Sequence, residues 1–158
     1  EGAESDALRT QLAAELKDQE KLVASSGTLL GYRYEGSDII VPDGTPEPAD
    51  DARRYIPVAR PGHRAPHVWL EDGAALYDRF GQGFNLLQLG VTPPDVSRFV
   101  DAAKAASLPL TVVRIDDALV AEVYAAQLVL VRPDLMVAWR GDSVPPDVQA
   151  VVDRVRGA

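Results

Sequence analysis

Apolar residues follow three different rhythms along this chain. At the start, Leu8, Leu12, Leu16 and Val23 recur near helical spacing among Glu, Lys and Gln, which predicts a helix over Ser5 to Ala24 with a single apolar stripe. Nothing ahead of it in the chain can cover that stripe, so it is expected to be the last helix of something larger. From Gly27 to Leu70 the rhythm is lost, because the segment holds six of the chain's twelve prolines and many glycines. Yet Tyr32, Tyr34, Ile39, Ile40, Val41, Tyr55, Ile56, Val68, Trp69 and Leu70 are spread through it. A disordered linker is poorer in such residues, so an ordered, extended arm lying against a partner surface is expected.

Beyond Gly73 the pattern becomes regular. Asn85 to Leu89 reads as a buried strand entered from a Gly-Gln-Gly turn. Thr92-Pro93-Pro94-Asp95 then reads as a helix start with Thr92 as N-cap, Pro in the first turn and Asp95 at the capping-box position. Val96, Phe99, Val100 and Ala103 supply that helix's inward stripe. Leu110 to Ile115 is a second strand, and Ala118 to Tyr124 a short helix. Leu128 to Arg132 and Met136 to Arg140 flank Pro133-Asp134-Leu135 and should pair as a hairpin. Pro145-Pro146-Asp147 opens a last helix with Val148, Val151, Val152 and Val155 on one face.

The fold class is therefore α/β. The order β-α-β-α-β-β-α predicts a thioredoxin-like three-layer sandwich, preceded by an N-terminal helix and an extended Pro-rich arm. The expected division is residues 1–26 as the helix, 27–72 as the arm and 73–158 as the thioredoxin-like domain.

Composition narrows what such a domain can do. The 158 residues are 46% hydrophobic and 25% charged, enough for one domain with a real core. A formal charge of −8 and a pI near 4.7 argue against nucleic acid and against an anionic membrane surface. No apolar run is long enough to span a bilayer, and the start lacks the order of a signal peptide, so a cytoplasmic location is expected. There is no cysteine, which removes any disulfide, thiolate nucleophile or Cys-bound metal.

That absence bears directly on the fold. A redox-active thioredoxin fold carries its dithiol where the first core strand meets its helix, here Gly90-Val91-Thr92-Pro93-Pro94. Thiol–disulfide chemistry is thus excluded. The proline that usually precedes the hairpin is replaced by Ala126-Gln127, so the fold is kept for its shape.

Other candidates are weaker. Gly81-Gln82-Gly83 precedes a strand, whereas a dinucleotide-binding loop follows one, and it reads better as a tight turn. Arg60, His63, Arg64 and His67 share the loop Pro61-Gly62-His63-Arg64-Ala65-Pro66-His67 and could form an anion or substrate site. Interface contacts suit them better, since no capped helix start or Gly-rich nest lies nearby. His63 and His67 lack a third metal ligand. Asp50-Asp51, Glu71-Asp72 and Asp116-Asp117 are adjacent carboxylates that point apart and fit turns and caps. No nucleophile-elbow motif is present.

At LLGYRYEGSDII, ARPGHRAPHVWL, LYDRFGQGFNLL and LVRPDLMVAWRGD the sequence resembles the C-terminal part of class A flavoprotein monooxygenases. It is most similar to the group that includes 3-(3-hydroxyphenyl)propionate hydroxylase, pentachlorophenol monooxygenase and polyketide hydroxylases. The resemblance runs from Leu29 to the end, and it implies a parent enzyme using FAD and NAD(P)H to place one oxygen atom of O₂ on a phenolic ring. The flavin-binding motifs and substrate pocket of that enzyme are expected upstream, with no catalytic, cofactor or metal residue in this segment. What the resemblance implies for this numbering is a domain interface with the FAD-binding part, formed by Tyr32, Arg33, Tyr34, Arg60, Gly62, His63, Arg64, Pro66 and His67. Leu135 and Met136, where the family often has small or polar residues, would be exposed apolar residues at a hairpin tip and a candidate homodimer contact. Two other readings are a stand-alone non-redox interaction module of the same fold and a small-molecule enzyme centred on His63 and His67.

Overall fold

A computed structural model describes residues 3–23, 25–34 and 36–158. They form two compact units, one of residues 1–32 with 48–56, the other of 33–47 with 57–158.

In the first unit, helix α1 (Ala3–Val23) is followed by the short helix α2 (Ser26–Leu30). Leu8, Leu12 and Leu16 are all exposed on α1, so the expected apolar stripe is uncovered by the described residues. Ala24 and the side chain of Val23 lie outside the described residues. The segment after Pro48 is bound to α2: the Thr28 amide donates to the Ala52 carbonyl at 3.3 Å and the Ser26 hydroxyl to the Arg53 carbonyl at 2.8 Å.

The second unit is built on four strands, β1 (Phe84–Leu89), β2 (Leu110–Ile115), β3 (Leu128–Val131) and β4 (Val137–Gly141), in the order β2-β1-β3-β4. β1 and β2 run parallel, and β3 runs antiparallel to both its neighbours β1 and β4. This is the thioredoxin-like arrangement that the element order predicts. Strand β1 alternates strictly: Phe84 and Leu86 face one layer and Leu87 and Leu89 the other. Leu128 and Leu130 of β3 follow the first layer, Val129 and Val131 the second. Both faces of the sheet are covered, which is why these strands read as nearly continuous apolar runs.

Helices α3 (Ser97–Ala105) and α5 (Val148–Arg156) cover the first face, with Phe99, Val148, Val151, Val152 and Val155 packed inward. Helix α4 (Ala118–Tyr124) covers the other with Val120 and Tyr124. The Asp117 carboxylate caps α4 by accepting the amides of Leu119 and Val120, and Asp147 caps α5 through Ala150.

Two expectations are corrected here. Thr92 does not cap α3, which starts five residues later with Val96 as its N-cap residue. Proline disfavours the helical region for the residue before it, so Pro94 works against a helical Pro93 and delays the helix. Asp95 instead accepts the Ser97 amide and hydroxyl. The two Pro-Pro-Asp-Val repeats therefore end differently, since Asp147 does act as a cap. The second correction concerns the arm. For residues 33–47 and 57–72 the surface it lies against is largely its own unit, with Ile40, Ala59, Ala65 and Val68 buried in the two core layers.

Candidate functional site

The loop from Arg60 to His67 runs alongside β4 and extends its hydrogen bonding. The Gly62 amide donates to the Val137 carbonyl, the Val137 amide to the His63 carbonyl and the Ala65 amide to the Leu135 carbonyl, each at 2.8 Å. On its other side the Tyr34 amide reaches the Gly62 carbonyl at 2.8 Å. Gly62 sits at φ +91°, and a Cβ there would lie 3.1 Å from the Tyr34 carbonyl oxygen. Only glycine fits both demands without strain.

Two tyrosine hydroxyls tie down the next stretch. Tyr124, fully buried on α4, donates to the Pro66 carbonyl at 2.7 Å, and Tyr77 donates to the Ala65 carbonyl. Burial raises the Tyr77 phenol above its usual range against the opposing pull of Arg64.

The charged residues of the loop converge on one carboxylate. Glu47 meets Arg33 Nε at 2.6 Å and His63 Nε2 at 3.2 Å through Oε1, and Arg60 through Oε2. Arg60 also donates to the Thr45 carbonyl at 3.1 Å. Next to it, Asp43 pairs with Arg140 of β4 at 2.5 Å and accepts the amide and hydroxyl of Thr45. Arg140 donates in turn to the Tyr124 carbonyl at 3.2 Å. Burial pushes His63 below the usual imidazole range, and the Glu47 carboxylate only partly restores it. For Asp43, burial pushes the pKa up, but the Thr45 and Arg140 hydrogen bonds outweigh it and the net shift is downward.

The expected interface residues thus separate into two kinds. Arg33, Arg60 and His63 are internal, held by Glu47, while Gly62 and Pro66 are buried backbone supports. Tyr34 packs partly against the first core layer. Tyr32, Arg64 and His67 retain solvent-facing surface. At the hairpin tip the expected exposure fails for Met136, which is only 5% exposed. Leu135 at φ +65° turns the chain so that Met136 points back into the domain and bridges to Arg64.

Glu47, Asp43 and Arg140, to which sequence patterns assign no role, hold this region together. Their spacing offers no local signal, because Glu47 finds Arg60 and His63 thirteen and sixteen residues away.

Where a dithiol would sit, Gly90, Val91 and Thr92 line an open cleft of about 360 Å³ with Gln127 and Asp142. The loop is held by Gln88 Nε2 donating to the Pro94 carbonyl at 2.8 Å and Arg114 donating to the Val91 carbonyl at 2.9 Å. Thr92 is the only hydroxyl among these lining residues, and the Asp142 carboxylate is engaged by the Gln127 amide at 3.1 Å. Among the described residues no cluster of three His, Asp or Glu could hold a metal ion, and no helix is long and apolar enough to cross a membrane.

Residues 58–158 match the family model described as aromatic-ring hydroxylase, C-terminal. The chain belongs to the aromatic-ring hydroxylases. It is their C-terminal domain. FAD-dependent monooxygenase apdD of Emericella nidulans is 41% identical over 140 residues, which is 83% of this chain and 22% of that protein. Aklavinone 12-hydroxylase RdmE of Streptomyces purpurascens is 34% identical over 154 residues, 86% of this chain and 27% of its own length. Among solved structures, native and K252c-bound RebC-10x superposes with a TM-score of 0.85 at 35% identity, over 100% of this chain and 30% of that one. The chain therefore spans between 22% and 30% of the length of these relatives.

The Gly81-Gln82-Gly83 turn of this domain does not fit a flavin dinucleotide. A dinucleotide phosphate needs a glycine-rich turn leaving a strand with free amides. Here Gly81 and Gly83 enter a strand and lie against Thr111 and Pro109, where a Cβ would come within 2.3 and 2.4 Å. The Gly81 amide is taken by Asn85 Oδ1 at 2.7 Å, and the buried Asn85 amide returns to the Gly81 and Gly83 carbonyls.

Proposed function

We propose that this domain is the non-catalytic structural and docking part of a monooxygenase that uses FAD, NAD(P)H and O₂ to hydroxylate a phenolic or other aromatic ring. The observation that carries this reading is the match of residues 58–158 to the C-terminal part of a hydroxylase family. The family's chemistry would lie in the preceding part of the parent chain, which the domain docks against through Tyr32 to Tyr34 and the loop from Arg60 to His67. In that division Arg33, Arg60, Gly62, His63 and Pro66 give the loop its shape, and Tyr32, Arg64 and His67 make the contact. The exposed stripe of Leu8, Leu12 and Leu16 on α1 suits the same partner. Self-association at the hairpin tip would rest on Leu135, and sedimentation of the chain tests it.

The test is the full-length parent chain. It is expected to purify with bound FAD and to oxidise NAD(P)H faster when a phenolic substrate is added. A full-length chain without flavin would overturn the reading.

A further inference from the structure

We propose that Trp69, set against His67, which in turn meets Tyr77, is the anchor that seats this domain on the preceding part of its own parent chain. The slot that receives it is apolar, with one carboxylate where it faces Arg64. This rests on the docking reading above and names the part of the surface that carries it.

Trp69 is 68% exposed although the residues on either side of it in the chain, Val68 and Leu70, turn toward the core. It is not on a loose segment. Trp69 bridges to Ala75, the Leu70 amide donates to the Ala74 carbonyl at 2.9 Å, and the Leu76 amide donates to the Val68 carbonyl at 3.0 Å. Backbone alternation then puts His67 and Trp69 on the same outer side. Their rings meet edge to face at 5.1 Å, and His67 lies 5.2 Å from the Tyr77 ring. Tyr77 is fixed by its bond to Ala65 and carries the Arg64 guanidinium 5.9 Å from its ring centre.

The result is a wall of aromatic rings with a cation at one end, ordered before any partner arrives. Trp, Tyr and Arg are the side chains that dominate interface energetics, and pre-ordering them lowers the entropy lost on docking. Tyr77 and Trp69 belong to different stretches of chain, so the wall is a product of the fold rather than one exposed residue. The occupant follows from two facts. The family model is that of a C-terminal domain, and the relatives hold at least 70% of their length outside the part this chain covers, so a large partner surface is tethered to it. A second copy is disfavoured because each carries a formal charge of −8, and like charges repel. The Arg64 end of the wall calls for a carboxylate on the partner, in the planar geometry that guanidinium favours.

The experiment replaces Trp69 with the photocrosslinker p-benzoyl-phenylalanine in the full-length parent chain, with mass-spectrometric mapping and a flavin assay on the same sample. An intrachain crosslink to a peptide upstream of this domain is the expected result. Crosslinks only to a second copy, only within the domain, or none at all would overturn the proposal. If the sample holds flavin but the crosslink goes elsewhere, the anchor fails and the enzymatic reading stands. If the crosslink goes upstream but the sample holds no flavin, the anchor stands and the enzymatic reading fails. A Trp69→Ala variant is expected to leave the melting of the isolated domain unchanged and to make the domain junction of the full-length chain more sensitive to protease.

Discussion

Replacing Glu47 with Gln removes the one carboxylate shared by Arg33, Arg60 and His63 while keeping the side chain's shape. The four side chains are between 7% and 24% exposed, so the site lies between two known regimes. Fully exposed pairs contribute about 0–1 kcal/mol, and breaking a buried pair costs about 3–5 kcal/mol because a charge is left without its partner. An intermediate loss of about 2 kcal/mol follows, partly offset by hydrogen bonds the Gln amide can still accept. For a chain of this size that corresponds to a fall of about 4–8 °C in melting temperature. Thermal unfolding followed by circular dichroism measures it, with Glu122→Gln on the exposed face of α4 as a control expected to move little. Arg33→Gln should also cost less in the Glu47→Gln background than alone, because the pair is then already broken. A Glu47→Gln midpoint within about 1 °C of the unsubstituted chain would refute the reasoning.

Three further outcomes are expected. Tyr124→Phe leaves the Pro66 carbonyl without its buried donor and should cost about 1–2 kcal/mol in urea unfolding; an unchanged midpoint would show that this carbonyl finds another partner. Gly62→Ala forces a side chain into φ +91° against the Tyr34 carbonyl and should cost about 2 kcal/mol, whereas a gain in stability would mean that the loop relaxes freely. His63 has a folded pKa below its unfolded value of 6.5, so the unfolded chain binds the extra proton more readily. Stability should therefore be retained above that pH and fall as pH drops through it, and His63→Gln should flatten the slope between about pH 7.5 and 5.5; an identical slope in both proteins would exclude His63 as its source.

The sandwich is legible in the sequence because its strands and helices announce themselves locally. Leu86 to Leu89, Leu128 to Val131 and the valines of α5 are apolar in the period of their own element, and Asp117 and Asp147 stand at the caps. The start of α3 cannot be read from Thr92 because the adjacent prolines compete with the capping pattern, and the steric rule for Pro94 wins. The arm hides more. Ile40, Ala59, Ala65 and Val68 are core residues, but they enter one at a time from irregular backbone, so no period marks them as inward-facing. Glu47 is invisible for a related reason, since its partners Arg33, Arg60 and His63 come from two separate stretches, each more than ten residues away in the chain. Met136 reads as exposed because a hairpin tip usually is. The positive φ of Leu135 reverses that, and such a backbone angle at a non-glycine residue leaves no sequence mark.

Titrating FAD into the purified 158-residue chain, followed by flavin fluorescence, tests the central claim most directly. A domain kept for its shape and its docking surface predicts a colourless protein and flavin fluorescence that does not change with added chain. Saturable one-to-one binding of FAD would contradict it.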